Sequence, residues 1–143
     1  MSDYRKLRVW QAAREFAVNA YRVSQRMGGS RNLTISAQLQ RAAMSVPTNI
    51  VEGSAHTSPR EFARYLRYSI ASVSECEGHI QLGRDIGVIS ETDFTSLVSQ
   101  IEDVRKMLYG LVKKLDSGRR DQADLNGPPV RTTGTDSGQP ETD

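Results

Sequence analysis

The sequence predicts an all-α fold: an antiparallel up-and-down four-helix bundle over residues 1–117, with a disordered polar C-terminal tail over 118–143. Three observations carry that expectation. Apolar residues recur three and four apart in four successive stretches, and no strand-like alternation competes with them. Short segments rich in turn formers separate the stretches, as antiparallel neighbours require. Beyond Ser117 the chain is rich in Gly, Pro, Thr, Ser and Asp, with almost nothing to bury.

The first helix is expected from Tyr4 to Met27. Its apolar face is Leu7, Trp10, Ala13, Ala17, Ala20, Tyr21 and Met27, with Val9, Phe16 and Val23 widening it. Gly28 and Gly29 end it through a left-handed turn. The second runs from Ile35 to Ala55, capped by Thr34 or Ser36, with Leu39, Ala42, Ala43, Val46 and Ile50 inward. Pro47 lies inside it and predicts either a kink or a break into two shorter helices.

The third helix has the clearest start signal in the chain. Ser58 caps, Pro59 suits the first helical position, and Glu61 completes a capping box. Phe62, Leu66, Ile70, Val73, Cys76 and Ile80 then form one stripe. Gly78, Gly83 and Gly87 follow, either to admit a close neighbour or to mark a weakened end. The fourth helix is capped by Ser90, with Glu91 and Asp93 in its first turn. Phe94, Leu97, Ile101, Val104, Leu108, Leu111 and Leu115 repeat three and four apart, and Val98 and Val112 add a second row. Stripes this wide on a small bundle imply burial on two sides, hence self-association.

Bulk properties limit the function classes. At 143 residues one folded domain is expected. No apolar run approaches the ~18 residues of a membrane span, and MSDYRKLRVWQ has no apolar core for a secretory leader. The lone Cys76 excludes an internal disulfide and fits a reducing, cytoplasmic setting. Residues 1–117 hold 16 Lys and Arg against 12 Asp and Glu, a net of +4, while the tail is −2. A charge of +4 permits nucleic-acid contact without demanding it.

A polar stripe is the least ordinary feature. Arg41, Ser45, Asn49 and Glu52 share one face of the second helix, with Gln38 preceding them. Such a stripe is solvated, paired with a neighbouring helix, or used for binding. Folding the third helix back about Thr57 brings Arg41 level with Glu75. The simplest account is therefore a partly buried Arg41–Glu75 pair, with Ser45 and Asn49 bonding across the same seam.

Basic residues form two groups. Arg60, Arg64 and Arg67 lie on one stripe of the third helix, with Tyr65 and Tyr68 near enough to stack, although Tyr65 suits the core equally. Arg5, Lys6 and Arg8 cluster at the start, and Lys113 and Lys114 close the fourth helix. A helical Arg stripe is either a solvated face or a phosphate contact without base reading.

No metal or cofactor is expected. Glu52/His56 and Glu75/His79 are each four apart, but Glu52 is level with about residue 63, some twelve residues from Glu75. At 1.5 Å per residue that is about 18 Å, too far for one ion. Catalysis has no support either: there is no phosphate-cradling glycine loop, no Gly-x-Ser-x-Gly elbow and no Cys–His spacing.

LRVWQAAREFAVNAY and LTISAQLQRAAMSVPTNIVEGSAHTSPREFARYLRYSIASVSECE carry a resemblance. Gln38, Arg41, Ala42, Ser45, Asn49, Ile50, Glu52 and Gly53 hold polar identities at fixed offsets. The chain resembles the four-helix-bundle proteins encoded in intervening sequences of bacterial 23S ribosomal RNA genes. It departs from them after helix one, where Arg26-Met27-Gly28-Gly29-Ser30 replaces a Phe-Pro pair and acidic residues. It departs again at Val73, where a glycine is common. The resemblance implies a ring-like homo-oligomer, a pentamer. It also implies similarity to retroelement accessory proteins that bind nucleic acid and a reverse transcriptase. It brings no catalytic residues. The resulting expectation is a non-enzymatic, cytoplasmic homo-oligomer that binds structured RNA or a ribonucleoprotein through Arg5, Lys6, Arg8, Arg60, Arg64 and Arg67. In this reading Gln38, Arg41, Ser45, Asn49, Glu52 and Glu75 form a structural polar network. The alternative is a protein-interaction scaffold without nucleic-acid contact.

Overall fold

Apolar periodicity dictates helices, and helices are what the computed structural model contains. It describes residues 3–125 and Gly127. These form α1 (Arg8–Arg26), α2 (Leu33–Ser54), α3 (Pro59–Ile86) and α4 (Glu91–Leu125), with 3-10 turns at Tyr4–Lys6 and Ser30–Asn32. There is no strand among the described residues. Each helix touches its two neighbours in the order α1, α2, α3, α4 and back to α1, whereas α1 and α3 do not touch. The result is a square up-and-down bundle with α1 and α3 on one diagonal.

The ends follow local chemistry. Gly28 and Gly29 adopt φ of 59° and 73°, the left-handed region that closes α1. Asn32 Nδ2 then donates to the carbonyls of Met27 and Gly28 at 2.9 and 3.1 Å. Asn32 thus finishes α1 while its own backbone starts α2, and neither Thr34 nor Ser36 is the cap. Ser58 accepts from the Glu61 N–H and Ser90 from the Asp93 N–H, as the sequence predicts. Gly87, at φ 90°, ends α3. Pro47 does not break α2, which runs unbroken through it. α4 continues to Leu125, beyond the end of its apolar stripe at Leu115. The remaining tail residues, 126 and 128–143, lie outside the described residues.

On α2, α3 and α4 the core follows the predicted stripes, with Phe62, Ile70, Phe94, Val98, Leu111 and Leu115 only partly buried against it. Leu39, Val46 and Ile50 meet Leu66, Val73, Cys76 and Ile80, with Leu97, Ile101, Val104 and Leu108 completing the interior. On α1 the predicted central row is divided: Ala13, Ala20 and Met27 are central as expected, Val9, Phe16 and Val23 join them, and Trp10 and Tyr21 are displaced. Val9, Ala13, Phe16, Ala20, Val23 and Met27 face inward, repeating four, three, four, three, four. Trp10, Ala17 and Tyr21 sit one position round the helix, so Trp10 is only partly covered and Tyr21 is 49% exposed. Periodicity finds both rows; only the neighbouring helices decide which one is central.

Gly53 explains part of the Glu-Gly element near the end of α2. A Cβ there falls 2.8 Å from both Phe62 Cδ2 and Tyr65 Cβ, and 3.2 Å from the Phe62 carbonyl oxygen. The first turn of α3 lies directly on this bare backbone. A Cβ at Gly78 meets nothing within 4 Å. Gly53→Ala should therefore lose about 1–2 kcal/mol, because overpacking outweighs the gain in helix propensity. Gly78→Ala should gain about 0.5–1 kcal/mol. Urea denaturation of the two variants checks both signs.

Candidate nucleic-acid interface and polar seam

The antiparallel register of α2 on α3 places the polar stripe. Arg41 pairs with Glu75, the Ser45 and Ser72 hydroxyls are 2.8 Å apart, and the Ser69 hydroxyl donates to the Val46 carbonyl at 2.6 Å. Arg41 therefore does lie level with Glu75. The pair is covered on one side only: the Arg41 side chain is 58% exposed, whereas Glu75 is half-buried, its side chain 39% exposed. Both sit on the outer edge of the seam, where long side chains reach toward water. Arg41 also donates to Gln38 Oε1 at 2.8 Å. Its guanidinium is the main cause holding the Glu75 carboxyl below the usual carboxylate range; desolvation opposes it, and His79 adds a lesser lowering. His79 Nε2 is 3.5 Å from Glu75 Oε1 and makes no hydrogen bond with a described residue.

The inner part of the stripe is Ser45, Asn49 and Ser72. Ser45 bonds across the seam, but Asn49 does not. Asn49 Nδ2 donates to the carbonyl and hydroxyl of Ser45 on its own helix, at 2.9 and 3.0 Å. Glu52 is exposed and pairs with no described residue. The expected network is thus divided into a half-buried serine–asparagine contact, an exposed ionic edge and a solvated carboxylate.

Partners invisible to local spacing complete the surface. Arg26 grips Asp93 with two bonds of 2.8 and 3.2 Å, tying α1 to α4. Arg105 pairs with Glu77 between α3 and α4. Asn19 Nδ2 donates to Gln100 Oε1 at 2.8 Å, and Gln40 donates to the Ser24 hydroxyl at 2.8 Å. Each joins helices whose relative register no single stretch of sequence reveals. Cys76 lies in the core, and burial pushes its thiol up to about 12, so it carries no reactive thiolate.

The topology gathers the basic groups at one end. The start of α1, the α2–α3 turn and the later turns of α4 all lie there. Arg67 reaches Asp116 across α3 and α4 at 2.7 Å. Lys6 and Arg8 line one open pocket with Lys114, Met107 and Leu111. The two predicted basic groups nonetheless occupy opposite corners of that end, because α1 and α3 are diagonal. Several cations are already partnered: Arg5 with Asp3 and Arg64 with Glu61, each at 3.1 Å, besides Arg67. Lys6, Arg8, Arg60, Lys113 and Lys114 are exposed and pair with no described residue.

The displaced row of α1 forms a second surface feature. Trp10, Val18 and Tyr21 face Met44 and Pro47 across an open, mainly apolar groove of about 640 Å³, with Arg14 and Arg22 also lining it. No group of three or more His, Cys, Asp or Glu side chains among the described residues is placed to share a metal ion. No described helix is long and apolar enough to cross a membrane.

The family model of the 23S rRNA-intervening sequence proteins matches residues 5–110. The chain belongs to that family. Among solved structures it is similar to a protein of unknown function from the S23 ribosomal protein family of Bacteroides thetaiotaomicron, with a TM-score of 0.69 and 22% identity. The match covers 73% of this chain and 98% of the other, and it shows the shared fold. Among curated proteins none matches.

The exposure of Arg41 and Glu75 sets the size of their effect. A pair of this kind is worth under about 1 kcal/mol after solvent screening. Because the folded-state Glu75 carboxyl is depressed, its contribution is present above the ordinary carboxylate range and is lost as pH falls through the folded value. Arg41→Ala should cost under about 1 kcal/mol at neutral pH. The difference from the parent chain should vanish in acid, as read by urea melts at both pH values.

Proposed function

We propose that this chain is a non-enzymatic, homo-oligomeric, cytoplasmic helical-bundle protein that contacts structured RNA or a ribonucleoprotein through the basic end of the bundle. The observation that carries this reading is the convergence of Lys6, Arg8, Arg60, Lys113 and Lys114, unpaired among the described residues, on that end. Cations so placed contact phosphates and hold register without reading sequence. Kinship with the 23S rRNA-intervening sequence proteins supports an RNA setting.

Self-association fits the groove between α1 and α2. Tyr21, Met44 and Val18 are large and exposed there, at 49%, 57% and 39%. Apolar area of this kind, edged by arginines, suits a neighbouring copy, and the resemblance implies a ring of five. A scaffold that recruits protein and never touches RNA is the second reading. The pairing of Arg5, Arg64 and Arg67 with carboxylates favours it, since each pair removes a cation from phosphate attraction.

Three measurements separate these readings. Light scattering should give a multiple of the 15.9 kDa chain mass, and Tyr21→Arg with Met44→Arg should reduce it to one chain. Replacing Lys6, Arg8 and Arg60 together with Ala should weaken RNA binding and lower the slope of log K against log salt by about two to three. Binding and slope unchanged by that replacement would remove the basic end from the footprint. Partner capture that survives nuclease treatment, with no binding to purified RNA, would favour the scaffold.

A further inference from the structure

The α2–α3 turn carries rings that the core does not use. His56 lies nearly parallel to Tyr65, with centroids 5.2 Å apart and planes at 15°. Tyr65 meets Tyr68 edge-on at 5.6 Å. The Arg64 guanidinium sits 5.3 Å from the Tyr65 ring centre and 5.7 Å from that of Tyr68. Tyr65 is half-buried and anchors the group, because its Cβ packs where Gly53 leaves room. His56 and Arg64 are exposed, and Tyr68 is 46% exposed.

This arrangement is a short stack that ends on an exposed ring. One face of His56 rests on Tyr65 and the residue is exposed, so its solvent contact comes through the remaining face and the ring edge. A further flat ring laid there continues the column, and Tyr68 offers a second exposed ring beside Arg64. Electrostatics argue for the same kind of ligand. Arg64 is neutralised by Glu61 and Arg67 by Asp116, and the solvated Glu52 lies one helical turn before His56. Arg60 is the remaining cation of the stripe without a partner among the described residues. Phosphate attraction at this corner is therefore weak, and a ligand offering only phosphates gains little. A duplex is such a ligand, because its base faces cover one another. Unpaired nucleotides present open π-faces that stack on aromatic rings and guanidinium planes with little sequence preference.

We propose that His56, Tyr65, Tyr68 and Arg64 form a stacking site for unpaired nucleobases of an RNA, with Arg60 meeting the adjoining phosphate. This rests on the basic end being an RNA contact and specifies what that end holds: loops, bulges or single strands rather than paired stems.

The test uses the full chain and fluorescence anisotropy with three labelled probes of equal length: a short oligoadenylate RNA, a blunt RNA duplex and an abasic strand. The parent chain should bind oligoadenylate more tightly than either of the others. His56→Ala with Tyr68→Ala should weaken oligoadenylate binding about 5- to 20-fold and leave duplex binding unchanged. Tyr68→Phe should retain the parent affinity, since the ring and not the hydroxyl stacks. Both positions are exposed, and helical circular dichroism verifies folding. The comparison of base-bearing with abasic strands needs no variant. Equal binding of oligoadenylate and the abasic strand, or a ring variant that binds oligoadenylate as the parent does, overturns the stacking site. If duplex binding remains and falls with salt in that case, the basic-end reading stands without it. If no probe binds at low salt, both fall.

Discussion

The contact between α2 and α3 at Gly53 sets the rest of the bundle. A turn of four residues, 55–58, separates the two helices, and Ser58 with Pro59 starts α3 at once. Bare backbone at Gly53 lets Phe62 and Tyr65 close onto α2. Once that first level is fixed, each step back along α2 meets a step forward along α3. Val46 then finds Ser69, Ser45 finds Ser72, and Arg41 finds Glu75. Polar groups at these levels are hydrogen-bonded because the register brings their partners to them, which is the condition for burying Ser69 at all. The same closure positions the ring cluster, since Tyr65 is both the residue that packs on Gly53 and the ring on which His56 lies.

Legibility in the sequence tracks how local the determining physics is. Helix identity, the Ser58 and Ser90 caps and the left-handed glycines after α1 depend on a few adjacent residues, and all were readable. The level of Arg41 against Glu75 was readable too, because one short turn connects the helices. Depth was not. Spacing places Arg41 on a face but does not give that face's angle to its neighbour, so it does not reveal that Arg41 is exposed while Glu75 is half-buried. Asn49 illustrates the same gap: its side chain reaches back to Ser45 rather than across, a choice of rotamer and not of register. On α1 the apolar residues fill a wide face, and spacing alone sets Trp10 and Tyr21 beside Ala13, Ala20 and Met27 at its centre, with Val9, Phe16 and Val23 at the margin. In the bundle the centre joins Ala13, Ala20 and Met27 to Val9, Phe16 and Val23. Arg67 with Asp116 and Arg26 with Asp93 depend on the placement of α4, which no local pattern fixes.

Separation of surfaces is the structural property most relevant to the proposed role. The apolar groove runs along the flank of α1 and α2, through Val18, Tyr21 and Met44 at mid-helix. The basic groups lie at the end where the chain begins, where α2 turns into α3, and where the apolar stripe of α4 stops. A copy seated against the flank leaves that end open to solvent. This matters because one chain offers few unpaired cations, and screening at physiological salt confines their reach to about 8 Å. In the proposed ring, symmetry would raise the count without adding a residue, since each added subunit would repeat Lys6, Arg8 and Arg60. Binding that is weak per subunit would become multivalent in such a ring, with the effective concentration set by the assembly rather than by a linker. The flank and the end therefore have distinct physical tasks in the proposed assembly, the first to build the rim and the second to occupy it.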